Sequence, residues 1–557
     1  MIGNQESTAP QSSTLLRHHL NSFMLTSISP RAILLRAVAL VMLFAACGPA
    51  SARLRLASPF TDNMVLQRET PAPVWGWADP GESITVEFAG QKKICTADAQ
   101  GDWMVKLEPL QANSEPQKLT VIGTETIEVN NVLIGEVWLC AGQSNMGLNL
   151  TEVFNAKQEI AAADYPQFRF LRAPASSSLL PADTLTGGSW QTCTPQTAAN
   201  FAATAYFFGR DLHKALKIPI GLIEFDRGAT GIECWVPLEA YQTAPSPALQ
   251  QIGRIVSSWN PQSAIGKEAH AAAFKAIAAW LPSAKKALEE KRAVPAEPLL
   301  PAPSRIVSNP CEAFNGVVHP LIPFAIRGAA WYQGESNPGE GEIYQQKMEA
   351  MISGWRQAWG QGNFPFYYVQ LANEGLPNQD PDEDATFRYV PVREAQRRVL
   401  RVENTGMVVA IDLGEDANGH PRNKQDVGGR LALWALAKDY KRKVAFSGPL
   451  YRGHRIVGDK IILSFDQVGS GLMVGDKSGL EPALEVKEKA LQHFAIAGAD
   501  GKWHWGEARI VGETVVVRSD DVPAPVKLRY AYSMNPKGPK LYNRDGLPAS
   551  PFRTDDW

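Results

Sequence analysis

Two different spacings of apolar residues divide this chain. From Leu54 to about Val129, short alternating runs such as "APVWGWADPGESITVEFAG", "DAQGDWMVKLEPL" and "KLTVIG" are broken by turn residues, which predicts a β-sandwich-like module. From about Asn130 the apolar runs become nearly continuous: "VLIGEVWLC", "PIGLIEFD", "IRGAAWYQ", "FPFYYVQL" and "GMVVAIDL". Between them lie helix-compatible stretches such as "NFAATAYFFGRDLHKAL" and "QDVGGRLALWALAKDY". Strands of this kind alternating with helices predict a parallel sheet covered on both faces. An irregular insertion interrupts this pattern at about 238–308. It holds an Ala-rich helix, "KEAHAAAFKAIAAW", a second helical piece opening at Pro282, and the Pro-rich link "VPAEPLLPAP". The expected setting is a peripheral hairpin or one wall of a substrate cleft. From about Val444, "RIVGDKIILSFDQVG", "ETVVVRS" and "VKLRYAYS" predict a second all-β region.

The expected organisation is therefore residues 1–52 as a targeting segment, 53–129 and 444–557 as β regions, and 130–443 as the α/β domain. A length of 557 residues fits several cores, since one domain takes about 150. Lys and Arg total 55 against 57 Asp and Glu, so nothing in the balance favours nucleic acid or an anionic membrane surface as partner, both of which need a concentrated basic footprint. Near the N-terminus, Arg31 and Arg36 precede the apolar run "AVALVMLFAA", too short to span a bilayer, and small residues follow. This pattern predicts export to the periplasm or beyond, with cleavage after Ala52 and Met24 as an alternative start. A lipoprotein-type box ending at Cys47, which would give an outer-membrane lipid anchor, is the second reading. No later segment has the length and apolarity of a transmembrane helix. The five remaining cysteines, Cys95, Cys140, Cys193, Cys234 and Cys311, show no zinc-ligand spacing; they are read as small buried hydrophobes or one or two disulfides.

Chemistry concentrates where apolar strands stop. After "NNVLIGEVWL" comes Cys-Ala-Gly142-Gln143-Ser144-Asn145-Met146, polar residues at a strand's carboxyl end, where open α/β sheets place ligands. Ser144 is there either a nucleophile, with its own N–H as an oxyanion donor, or a cap for the helix that follows. A serine needs a base. His420, in "IDLGEDANGHPRNK", sits between an apolar strand and a helix; His319, in "NGVVHPLIP", is the second candidate. "AAWYQGESN" adds the Gln333 amide and the Glu335 carboxylate, and "FDRGATGIECW" adds Gly228.

"GEVWLCAGQSNM", "HPLIPFAIRGAAWYQGESN" and "GHPRNKQDVGGRLA" resemble the three blocks of the sialate O-acetylesterase family, within the SGNH (GDSL-like) hydrolases. "MVLQRETPAPVWGWADPGESITVEFAG" and "LYNRDGLPASPFRTD" extend the resemblance over nearly the whole chain after residue 52. It implies a flavodoxin-like parallel sheet, Ser144 as nucleophile and His420 as base. It further implies Ser144, Gly228 and Gln333 as oxyanion donors, an O-acetylated sugar as substrate, and no metal or organic cofactor. Many SGNH hydrolases carry Asp three residues before the histidine, where Ala417 stands here. Glu335 is the first candidate to orient His420 and Asp416 the second; a Ser–His dyad is the third reading. Arg227, where related sequences usually show Trp, is a candidate for a substrate carboxylate or an exposed structural arginine. Secreted relatives that act on xylan make a plant-polysaccharide acetylesterase the alternative function. A non-catalytic carbohydrate-binding protein is the alternative of another class, and Ala417 is its main support. The 15 tryptophans offer sugar-stacking faces, although core packing accounts for most of them.

Overall fold

A computed structural model describes residues 53–303, 308–382 and 386–556. The expected targeting segment, Met24 and Cys47 lie outside them. The molecule is mixed α/β, with one large mixed sheet and several antiparallel ones. The large sheet contains β1 (Thr126–Gly142), β2 (Tyr165–Arg172), β3 (Trp190–Cys193), β4 (Ile220–Asp226), β5 (Gly328–Tyr332), β6 (Phe366–Gln370) and β7 (Thr405–Val409). They stand in the order β3-β2-β4-β1-β5-β6-β7, parallel except for β3, which runs antiparallel along the edge. A flavodoxin-like sheet has the order 2-1-3-4-5. Here β4 is inserted between the first two strands of the chain and so becomes a direct neighbour of β1.

Every residue of β5 and β6 and all but the last of β4 are buried, the pattern of strands covered on both sides. The covering helices are α1 (Ala203–Leu216), α2 (Glu342–Trp359), α3 (Val390–Val399) and α4 (Lys424–Lys438). α1 packs on α4 and α2 on α3; because α3 and α4 both lie on β6 and β7, the two pairs cover opposite faces. From β1 the chain goes to one side for β2, β3 and β4, and from β4 it crosses back past β1 to β5 on the other side. That reversal opens a crevice at the carboxyl ends of β4, β1 and β5.

One strand passes through the expected boundary at residue 129. The first half of β1 pairs antiparallel with Asn113–Ile122 and parallel with Val65–Gln67, and its second half pairs with β4 and β5. Residues of both regions share one continuous hydrophobic core. At the join, Glu136 is fully buried and accepts hydrogen bonds from Arg68 (2.5 Å) and Arg327 (2.6 Å). Burial alone would raise this carboxyl, but Arg327 and Arg68 hold it below the usual range. The C-terminal strands build a separate core around Ile461, Phe465, Phe494, Val515, Leu528 and Phe552.

The insertion contains helices Leu238–Thr243, Pro247–Trp259 and Ala264–Glu289. The expectation that Pro282 opens a second helix is corrected: one helix of 26 residues runs through it. The carbonyl that loses its partner belongs to Ala278, which is exposed, so it is not left in an apolar interior. Cys140, Cys193, Cys234 and Cys311 are buried, Cys95 is half-buried, and all five are free thiols.

Candidate active site

β1 ends at Gly142, directly opposite Asp226 of β4 and Tyr332 of β5. Only glycine fits there: φ is +153°, and a Cβ would stand 2.1 Å from the Tyr332 carbonyl oxygen. This close approach lets the Gln143 N–H bond to the Tyr332 carbonyl (3.1 Å) and turns the chain into a single helical turn, Ser144–Gly147. Gln143 occupies the cap position, so Ser144 is not the cap; it is the first helical residue, half-buried, with its side chain at the crevice.

The structure brings His420 to this serine across 276 positions of sequence, with Nε2 2.7 Å from Ser144 Oγ. His420 is exposed, so the pair opens directly to solvent. Its loop leaves β7 and is fixed at several points. Arg422 grips the Glu415 carboxylate through Nε and Nη2 (3.1 and 2.8 Å) and lies over the Phe154 ring. The His420 N–H donates to Asn418 Oδ1 (3.0 Å). His319, the second histidine candidate, lies elsewhere and bonds to the Ala182 carbonyl.

Gly228 follows β4, and the Cβ it lacks would point at Ser144 Cβ, 3.8 Å away. Neither the Ser144 nor the Gly228 N–H donates to another described residue. Gln333 differs from expectation. Its side chain is fully buried, and its Nε2 donates to Asn337 Oδ1 (2.7 Å) and the Thr230 carbonyl (3.2 Å), while Oε1 accepts from Tyr344 (3.0 Å). Both amide hydrogens are used, so Gln333 braces the β4 and β5 turns and has no donor to offer an oxyanion.

Neither proposed acid bonds to His420. Asp416 accepts from Asn535 (2.9 Å) and Lys537 (2.5 Å), which hold its carboxyl below the usual range, Lys537 foremost. Glu335 accepts from Asn145 Nδ2 (2.5 Å), and its other oxygen, Oε2, is sealed from solvent without a partner. Burial pushes this carboxyl up.

Asn145, next to the serine in sequence, is the residue that sequence reasoning missed. It is buried, and besides Glu335 its Nδ2 donates to the Gly419 carbonyl (2.9 Å), one residue before His420. Its Oδ1 accepts from Lys424 Nζ (2.5 Å). Lys424 is fully buried over the Tyr332 ring, and burial pulls its ammonium down to about 7 against the raising influence of Glu335. The carboxylate thus reaches the histidine loop indirectly, through an amide that ties the loop to the serine turn. The only signal in the sequence was the polar pair Ser144-Asn145 at a buried strand's end. Arg227 Nη1 lies 3.8 Å from the Glu312 carboxylate and makes no hydrogen bond.

A family profile described as carbohydrate esterase, sialic acid-specific acetylesterase, matches residues 310–436, which span Gln333, Glu335 and His420. Human sialate O-acetylesterase is 28% identical over 551 residues, covering 89% of this chain and 92% of its own. The mouse enzyme is 30% identical over 462 residues, covering 74% of this chain and 79% of its own. A solved carbohydrate acetylesterase from Xanthomonas citri is 34% identical, with a TM-score of 0.73 over 90% of this chain and 100% of that one. Similarity of this extent to enzymes sets aside the non-catalytic alternative. The chain is an esterase, and it belongs to the sialate O-acetylesterase family.

Proposed function

We propose that the protein hydrolyses acetyl esters of sugars, with O-acetylated sialic acid as the first candidate substrate, through a dyad of Ser144 and His420 on an SGNH-type sheet. The 2.7 Å approach of His420 Nε2 to Ser144 Oγ carries this reading. His420 takes the hydroxyl proton as Oγ attacks the acetyl carbonyl, and the negative charge develops on the carbonyl oxygen. The N–H groups of Ser144 and Gly228 receive it; one such donor is typically worth about 2.7–4 kcal/mol. His420 returns the proton to the departing sugar hydroxyl. Water, deprotonated by the same ring, then releases acetate from Ser144 and restores the serine. Glu335 acts as a positioning residue through Asn145 and Gly419, in place of an acid on the ring itself.

One observation favours a neutral plant polysaccharide as the second substrate reading. Arg227 already faces Glu312 at 3.8 Å, so its charge is countered before an acidic sugar arrives. In this reading residues 53–129 and 130–443, joined by β1 and a shared core, serve as flanking β region and hydrolase, and 444–557 as second β region. The segment before them directs export to the periplasm or beyond, with the Cys47 lipid anchor as the alternative. Acetate release from p-nitrophenyl acetate, O-acetylated sialic acid and acetylxylan, each compared with Ser144→Ala, tests the proposal. Equal release by wild type and variant would refute it, and the preferred sugar decides between the two substrates.

A further inference from the structure

Beyond the Ser144 crevice, a cleft of about 820 Å³ lies where the loop Pro377–Gln379 meets the C-terminal β region. We propose that this cleft is a subsite for a neutral sugar unit of an oligomeric or polymeric glycan, which rests on the carbohydrate-esterase reading above. Trp505 forms its aromatic wall. The indole is 39% exposed although it sits on a strand, and its orientation is fixed: Nε1 donates to the Gln379 carbonyl (3.3 Å) and the His493 ring stands edge-on to it. A pyranose has an apolar face of C–H groups and a rim of hydroxyls. A fixed indole bordered by the amides of Asn378, Gln379 and Gln492 complements both parts.

Charge points to a neutral sugar. Glu507 and Arg509 on one wall oppose each other in sign, Glu507 pairs with Arg518 (3.1 Å), and Lys537 on the other wall is engaged by Asp416 (2.5 Å). That last pair also joins the cleft to the site. Asp416 lies four residues before His420, and its backbone carbonyl accepts from Gly375, at the start of the loop that forms the cleft's near wall. Asn535 binds Gly375, Asp416 and Asn378 together. The cleft wall and the histidine loop are therefore tied by one chain of hydrogen bonds, so a glycan held on Trp505 is anchored to the loop that carries His420.

The test is calorimetric titration of xylohexaose and cellohexaose into full-length Ser144→Ala protein, which cannot turn over, and into the same protein also carrying Trp505→Ala. The expected result is binding of at least one hexaose, weakened about tenfold or more by Trp505→Ala and largely retained by Trp505→Phe. Should Trp505→Ala melt early, Arg509→Ala, exposed on the same wall, replaces it and is expected to weaken binding severalfold. Equal binding with and without the indole, or no binding of either hexaose at about 10 mM, overturns the subsite. Acetate release by the wild type is scored separately, so failure of the esterase chemistry and failure of the subsite are distinct results.

Discussion

Replacing Gly228 by alanine puts a single methyl group where the proposed chemistry needs space. The fold should accept it: Gly228 is not in the left-handed region, and the new Cβ would have Ser144 Cβ, at 3.8 Å, as its nearest neighbour. That is an ordinary van der Waals distance, and a glycine-to-alanine change in a compatible backbone typically stabilises by about 0.4–1 kcal/mol. The catalytic consequence runs the other way. A carbonyl carbon must come within about 3–3.5 Å of Ser144 Oγ, with its oxygen between the Ser144 and Gly228 N–H groups. The methyl enters that same shell, so the acyl group must shift by roughly 1 Å, which is worth about 10²-fold in rate. Thermal melting should therefore show an unchanged or slightly raised Tm, while kcat/KM for p-nitrophenyl acetate falls about 10²-fold. Wild-type kcat/KM in the folded variant would refute the placement of the acyl oxygen; an early-melting variant would refute the packing argument. Gly142→Ala is the contrast, because its Cβ would strike the Tyr332 carbonyl at 2.1 Å and should prevent folding.

Asn145→Ala removes bonds to Glu335, Gly419 and Lys424 at once; at about 1.5–3 kcal/mol for each bond to a charged group, both Tm and kcat should drop, and wild-type kinetics would exclude the positioning role. Gln333→Leu should lower stability in urea by about 1–3 kcal/mol, because Asn337, Thr230 and Tyr344 lose their partner. A large loss of kcat at full stability would instead return Gln333 to the oxyanion site. Lys424 titrates at about 7 in the fold, whereas an unfolded lysine does so near 10.4. Between these values the unfolded chain holds the extra proton, so this group makes stability rise with pH across the window. Lys424→Met should flatten that rise when urea midpoints at pH 7 and 9 are compared, and an unaltered slope would contradict the assignment.

The positions of Ser144 and His420 were legible because each follows a strand whose residues can only be buried, and the polar residues after such a strand must lie at the sheet's edge. Gly228 was legible for the same reason. The partners of the side chains were not. Gln333 meets Thr230, Asn337 and Tyr344, which come from three segments, and no local pattern says which way its amide points. Asn145 was hidden by adjacency: only the folded turn shows that its side chain is buried against Glu335, Gly419 and Lys424. Pro282 misled because proline ordinarily marks a helix start, whereas here the helix runs through it and leaves the freed carbonyl at an exposed position. The domain limit at 129 followed a real change in residue pattern, yet the backbone continues through it as one strand.

That continuity limits how the enzyme can be taken apart. A truncated version starting at residue 130 would open in the middle of β1, stripped of its pairing with Asn113–Ile122 and Val65–Gln67, and would leave Glu136 without the guanidinium of Arg68. The portion that carries the reactive serine is thus not a detachable cassette, and any chimera or minimal catalyst made from this protein has to keep the strands at Val65–Gln67 and Asn113–Ile122 together with β1.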